Sequence, residues 1–292
     1  RPMMRQDFVK KIGLDLVDRL QVINHNAYDN LEFYGNSPQG IPIWVNREFA
    51  RSDLKIAAGM ITPRGSIFGG GSKRLLPGAC GRQTIYANHE YCPQEVFRQH
   101  LDEVAEMVGL EYIVNPLLNG DLGIMAMVTG DPEEAYWHGV EIGKDLYRTE
   151  IPEDMDVVIC SSWPKDSEGT QSAMAMVPLR GKPQDKLFRE NASVVVATAS
   201  PEGLGFHSVM GPGTLYRLRH IQPPKQDDKP PTQQLIFSPN MNKYDVRSLY
   251  GDEAIFCKTW DQLVERLTEI HGPSARACVF PCGAIQYGGG LD

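Results

Sequence analysis

Residues 192–199 (ASVVVATA) form the clearest buried strand in the chain, and they open directly into a glycine-rich loop, 200–213 (SPEGLGFHSVMGPG). A short apolar run rich in β-branched residues and closed by a turn signal fits a strand covered on both faces. The same rhythm recurs upstream. Short apolar runs at 20–23, 43–45 and 54–58 each give way to polar or glycine-containing segments, the first at Asn24-His25-Asn26 and the third at Gly59. That alternation predicts an α/β fold, in which ligands tend to gather at the carboxyl ends of the strands.

Between these runs the apolar residues change to helical spacing. Residues 3–12 read as a short amphipathic helix, and 93–108 as a longer one with Val96, Phe97, Leu101, Val104 and Met107 at helical intervals. Residues 131–148 follow the same pattern, with Asp131 as N-cap and Pro132 in the first turn. Residues 112–118 and 124–128 read as a hairpin turned by Asn119-Gly120-Asp121. Residues 29–42 and 222–233 read as loops from their Asn, Gly and Pro content. Beyond Ile151-Pro152-Glu153-Asp154 a fresh α/β pattern starts: strands at 156–161, 192–199, 235–237, 254–257 and 277–280, and helices at 168–178 and 259–271. The expected architecture is therefore two α/β lobes, 1–150 and 151–292, with a cofactor cleft between them.

Composition narrows the function classes. A net charge of −8 over 292 residues argues against a nucleic-acid binder, which presents a basic face. No apolar run approaches the roughly 18 residues of a membrane span. The six cysteines (Cys80, Cys92, Cys160, Cys257, Cys278, Cys282) form no CxxC pair, which reads as reduced thiols in a cytoplasmic protein.

The stretch most suggestive of chemistry runs from Gly69 to Gly78 and on to Asn88-His89. Three consecutive glycines, Gly69, Gly70 and Gly71, permit positive φ and close approach by another molecule. Ser72 and Lys73 follow directly. Neither common glycine motif fits. A P-loop wants glycine before the lysine and Ser or Thr after it, whereas Ser72 and Arg74 stand there. The dinucleotide fingerprint wants a third glycine where Arg74 stands.

The run GMITPRGSIFGGGSKRLLPGACGRQTIYANH, 59–89, resembles the nickel-pincer lactate racemase family. The pattern there is roughly G-x-I-x-P-H, a glycine segment ending G-G-x-K, then L-P-G, and N-H sixteen residues after the lysine. Lys73 to His89 has that spacing, and Leu76-Pro77-Gly78 and Asn88-His89 match it letter for letter. Arg1-Pro2-Met3 fits an H-R-P-M helix start; Gly35, Gly40 and Val45-Asn46 fit a G-x-x-P-x-G…V-N segment.

The resemblance implies a racemase or epimerase of a 2-hydroxy acid. Lys73 would carry a pyridinium-type nickel-pincer nucleotide as a thioamide, and His89 would supply a ligand to nickel. Soft sulfur and imidazole donors suit Ni(II). Gly70, Gly71 and Ser72 would line the cofactor, while Arg64 and Gln171 would meet the substrate. Hydride would leave the carbon bearing the hydroxyl and return to its opposite face. Expected partners are the small hydroxy acid and cofactor-biosynthesis proteins, with no nucleic acid and no membrane, and a homodimer left open.

The departures from the family pattern are specific. One acid/base histidine would precede Arg1, together with an Asp-x-Thr-Arg-Pro segment, so a preceding segment is expected. The other falls on Arg64. Arginine stays protonated and cannot act as a general base, but it can clamp a carboxylate. Pro164, Asp166 and Gln171 fit a P-x-D…Q-x-x-K substrate segment in which Met174 replaces the lysine. These changes point away from lactate itself. They also leave open a relative that binds only the cofactor or a carboxylate, and a weaker reading as a phosphate- or nucleotide-binding enzyme. His25 reads as a loop hydrogen-bonder, and His207 as a residue of the second glycine loop, with a position facing the cleft the lesser alternative. His100, His138, His220 and His271 read as surface or cap residues; Phe97, Tyr136 and Trp137 as core.

Overall fold

The computed structural model describes residues 2–64, 67–180, 182–207, 209 and 233–289. The chain forms two compact units: Arg1–Lys55 with Ser72–Leu110, and Ile56–Gly71 with Glu111–Asp292. The units do not part near residue 150. Residues 151–154 lie inside the larger unit, and the backbone shows why: Thr149 N–H donates to Tyr287 O and Tyr287 N–H to Tyr147 O, at 2.8 and 2.7 Å.

In the smaller unit, helices α1 (Arg5–Ile12) and α2 (Leu14–Arg19) lead to strands β1 (Leu31–Asn36) and β2 (Pro42–Asn46), an antiparallel pair. Two expectations change here. Residues 20–23 form no strand, and Leu20 and Ile23 are exposed with no ladder partner. The expected loop 29–42 instead contains β1, because Phe33 packs across the ladder on Trp44, ring centroids 4.9 Å apart. The Asn, Gly and Pro that suggested a loop are confined to its ends. Asn46 then caps α3 (Arg47–Ala50), accepting from Glu48 and Phe49 N–H. Helices α4 (Arg82–Tyr91) and α5 (Phe97–Val108) complete the unit. On α5, Phe97, Leu101, Val104, Ala105 and Val108 are buried, and Gly109 closes it at φ 77°.

Among the described residues the larger unit holds three sheets. Strand β3 (Ile56–Ala58) runs parallel to β6 (Tyr112–Leu118), which pairs antiparallel with β7 (Ile124–Gly130), the expected hairpin. Strands β4 (Thr62–Pro63) and β5 (Phe68–Gly69) make a small antiparallel ribbon. After α6 (Glu134–Leu146) comes an all-parallel five-stranded sheet: β8 (Met155–Ser161), β9 (Phe188–Ala197) after the short α7 (Gln184–Leu187), and β10 (Gln233–Phe237). Helix α8 (Lys243–Tyr250) follows, then β11 (Ile255–Cys257), α9 (Trp260–His271) and β12 (Ala277–Phe280). The spatial order is β11-β10-β9-β8-β12.

The fold class is therefore α/β, as the strand rhythm predicts. Val158, Cys160, Val194, Val196 and Ile236 pack one face of the parallel sheet; Val157, Val195 and Leu235 pack the other. Burial of both faces explains why the 194–197 end of β9 reads as an unbroken apolar run. The segment expected as a helix at 168–178 is built of 3-10 turns, Gly169–Leu179, with Pro178 inside it. Residues 222–232 of the expected polar loop, and part of the second glycine loop, lie outside the described residues.

All six cysteines are free. Among the described residues no helix is long and apolar enough to cross a membrane.

Candidate functional site

In the smaller unit, α5 organises the predicted residues. Phe97, at its first position, lies between two of them: Lys73 Nζ is 5.3 Å from the ring centroid, and the His89 imidazole meets the ring edge-on at 5.7 Å. Lys73 and His89, sixteen residues apart, thus converge on one aromatic ring. Both side chains are half-buried. His89 Nδ1–H donates to Ile85 O at 2.7 Å, one helical turn back. A carbonyl can only accept, so Nδ1 holds the proton, and in the neutral imidazole Nε2 is the nitrogen that a metal would use.

Two further side chains of α5 hold the flanking residues. Asp102 accepts from Ser72 Oγ at 2.6 Å and pairs with Arg98, fixing the residue before Lys73. Ser72 is fully buried, and its hydroxyl serves this anchor. His100, expected at the surface, is fully buried. Asn88 Nδ2 donates to its Nδ1 at 2.8 Å, and its Nε2 donates to Ser37 Oγ at 2.9 Å. Helical spacing from Phe97, Leu101 and Val104 places residue 100 on the buried face, which was the signal available in the sequence. His25 does behave as a loop hydrogen-bonder, reaching Cys80 O and the Asn46 side-chain amide.

Burial lowers the His100 pKa, against an opposing effect of the Glu103 carboxylate. The unfolded chain therefore binds that proton more readily than the folded one. Stability from this group is complete above the ordinary histidine value of about 6.5 and is lost as the pH falls below it. Urea unfolding of wild type and His100→Gln at about pH 7 and 5 should show a smaller acid loss in the variant. Equal losses would rule this out.

In the larger unit the glycine loop has a separate set of supports. Gly70 and Gly71 take φ of 103° and 56°, a region that side chains rarely enter. Gly71 N–H donates to Asn115 Oδ1 at 2.7 Å, and a Cβ on Gly71 would lie 2.9 Å from the Tyr136 ring. Tyr136 is core, as expected, and its hydroxyl donates to Phe68 O at 2.9 Å. The covalent chain passes from this unit to the other between Gly71 and Ser72.

Arg64 stands at the end of β4. Its side chain lies over Gly69, where a Cβ would come within 3.3 Å of Arg64 Nε. Arg180 donates to the Arg64 carbonyl. Lys165, which the sequence reading passed over, donates from Nζ to Thr62 Oγ1 at 2.7 Å and to Ala284 O at 3.4 Å. Gln171 is half-buried in the 3-10 segment, its N–H directed at Glu168 O. Met174 is buried with Val177 and Ala284. His207 Nδ1 accepts from Val209 N–H at 3.2 Å, a contact local to its loop.

Residues 1–98 match the family described as lactate racemase N-terminal domain. The chain is 26% identical to a lactate racemase from Lactiplantibacillus plantarum, over 97% of this chain and 73% of that protein. It is 27% identical to a lactate racemase from Thermoanaerobacterium thermosaccharolyticum, over 68% of this chain and half of that protein's length. The solved lactate racemase apoprotein from T. thermosaccharolyticum superposes with a TM-score of 0.73 at 20% identity, covering 98% of this chain and 75% of that one. A Thermotoga maritima protein structure gives 0.66 at 14% identity over 98% and 83% of the two chains.

The fold is the α/β fold of the solved lactate racemase apoprotein. Over its first 98 residues the chain is similar to the lactate racemase N-terminal domain, and along most of its length to lactate racemases.

Proposed function

We propose that this chain is a racemase or epimerase of a 2-hydroxy acid other than lactate, using nickel in a pincer nucleotide tethered to Lys73. The observation that carries the reading is the convergence of Lys73 and His89 on Phe97, with the His89 lone pair on Nε2. Among the described residues no three His, Cys, Asp or Glu side chains gather at one point. The chain thus offers a metal one imidazole here, which suits a group that brings its own sulfur and carbon donors. When bound, that group supplies the hydride acceptor at the carbon bearing the hydroxyl.

The protein's own residues do the rest. The Lys73 amine provides the covalent tether, and its loop is fixed by the Ser72–Asp102 bond. Gly70 and Gly71 give the turn its tight backbone. Phe97 covers one side of the tether and the imidazole with apolar surface. Arg64 donates to the substrate carboxylate, and Gln171 to its hydroxyl or carboxylate. Arg64 cannot accept the hydroxyl proton, which favours a one-sided epimerisation over a symmetric two-histidine exchange. The same fact supports a second reading, in which the chain binds cofactor or a carboxylate without racemising. Cofactor-biosynthesis proteins are partners under either reading.

Intact mass with metal analysis tests the proposal, on protein made in cells that synthesise the pincer nucleotide. The expected result is an added mass that maps to Lys73, with nickel that His89→Ala loses. An unmodified, nickel-free chain overturns it. Loaded protein that fails to interconvert the isomers of any 2-hydroxy acid tested favours the second reading.

A further inference from the structure

The order of the parallel sheet singles out one place on the larger unit. Strands β8, β9, β10 and β11 follow one another outward, and β12 returns to the opposite side of β8. The order reverses between β8 and β12, and in open α/β sheets the crevice outside the carboxyl ends at such a point is where ligands bind. The segment leaving β8 is Ser162-Trp163-Pro164-Lys165, and the one leaving β12 is Pro281-Cys282-Gly283-Ala284. Lys165 Nζ lies between these two exits, 3.4 Å from Ala284 O, and it also meets Thr62 Oγ1 at 2.7 Å.

Thr62 brings Arg64 into the same place. In the β4–β5 ribbon Thr62 is directly opposite Gly69. Residues directly opposite in an antiparallel pair point to the same face. The Cβ direction of Gly69 leads to Arg64 Nε within 3.3 Å. The Arg64 side chain and the Thr62 hydroxyl therefore share one face, and the hydroxyl carries the Lys165 ammonium. Met174 packs on the same Ala284 with an apolar side chain and can offer no charge there.

We propose that Lys165 is a substrate-binding residue, and that with Arg64 it forms a two-cation seat for the substrate carboxylate at this switch point. This rests on the hydroxy-acid reading above. Arg64 presents a planar fork of donors, and Lys165 a compact charge with three. A carboxylate offers two oxygens and about four lone-pair positions, enough for both. The buried Thr62 hydroxyl and the Ala284 carbonyl hold the ammonium in place, so little side-chain freedom is lost when substrate arrives.

The test is calorimetric titration of the purified chain with oxalate and with a 2-keto acid, comparing wild type, Lys165→Met, Lys165→Arg and Lys186→Met. Loss of one charge-assisted hydrogen bond should weaken binding on the order of 10- to 100-fold in Lys165→Met. Lys165→Arg should recover part of it, and Lys186→Met, which removes an equal charge from an exposed site on the same unit, should bind like wild type. In loaded enzyme KM should rise with little change in kcat, the pattern of a residue that binds substrate throughout the reaction. Thermal melts confirm that the variants are folded. A folded Lys165→Met with wild-type affinity overturns the proposal, as does wild-type protein that takes up neither ligand. Because the titration does not require nickel, its failure is distinguishable from failure of the cofactor reading, which the mass measurement decides alone.

Discussion

Lys73→Arg is expected to reduce racemisation to the uncatalysed rate. The variant keeps a cation of similar reach above Phe97, where the Lys73 amine lies 5.3 Å from the ring centroid. What it removes is the nucleophilic amine, since a guanidinium stays protonated and cannot form the covalent link. On the proposed reading the tethered cofactor would carry the hard chemical step, so its loss should remove most of the catalysis. Enzymes accelerate their reactions by about 10⁶-fold or more, which sets the scale of the expected loss. His89→Ala should leave the mass addition at Lys73 in place but lose nickel. The measurement is chiral analysis of a 2-hydroxy acid incubated with each variant, alongside intact mass. Substantial turnover by Lys73→Arg would show that the lysine acts through its charge and that no tether exists.

The second large effect is on stability. Tyr136→Ala should destabilise the fold by about 3–5 kcal/mol, the range for deleting a large buried aromatic side chain. Tyr136 is 1% exposed, its hydroxyl donates to Phe68 O, and its ring backs Gly71. Tyr136→Phe keeps the ring and loses only the hydrogen bond, for which about 1 kcal/mol is typical. Urea unfolding should separate the two variants clearly, with unchanged slopes if the folded state stays compact. Because the ring supports the glycine loop, Tyr136→Ala should also lower cofactor loading at Lys73. Equal midpoints for wild type and Tyr136→Ala would remove both the packing argument and the link to the loop.

Much of the site was legible because its chemistry is local. Lys73 and His89 are marked by glycines before one and asparagine before the other, at a fixed spacing. What the sequence could not show was the shared ring. Phe97 reads as one apolar residue among several at helical intervals, and only packing decides which of them touch the lysine and the imidazole. His100, expected at the surface, is buried for a related reason. Its helical position marks the buried face, but the partner that satisfies a buried imidazole, here Asn88, comes only from tertiary packing. Lys165 carried even less signal, since lysine after a strand is ordinary; its place follows from the return of β12 to the far side of β8.

The local sequence by itself determined the α/β class and most of the strands and helices, and it singled out Lys73 and His89 as the candidate pair. These depend on apolar periodicity and turn chemistry within a few residues of one another. The tertiary structure decided the rest. The boundary expected near 150 lies inside the larger unit, because Tyr147, Thr149 and Tyr287 are joined by backbone hydrogen bonds across well over a hundred residues. Strand β1 exists because Trp44 covers Phe33, and strand 20–23 does not form because nothing pairs with it. Pairing between distant segments is set by which surfaces can be buried together, and no local pattern records that choice.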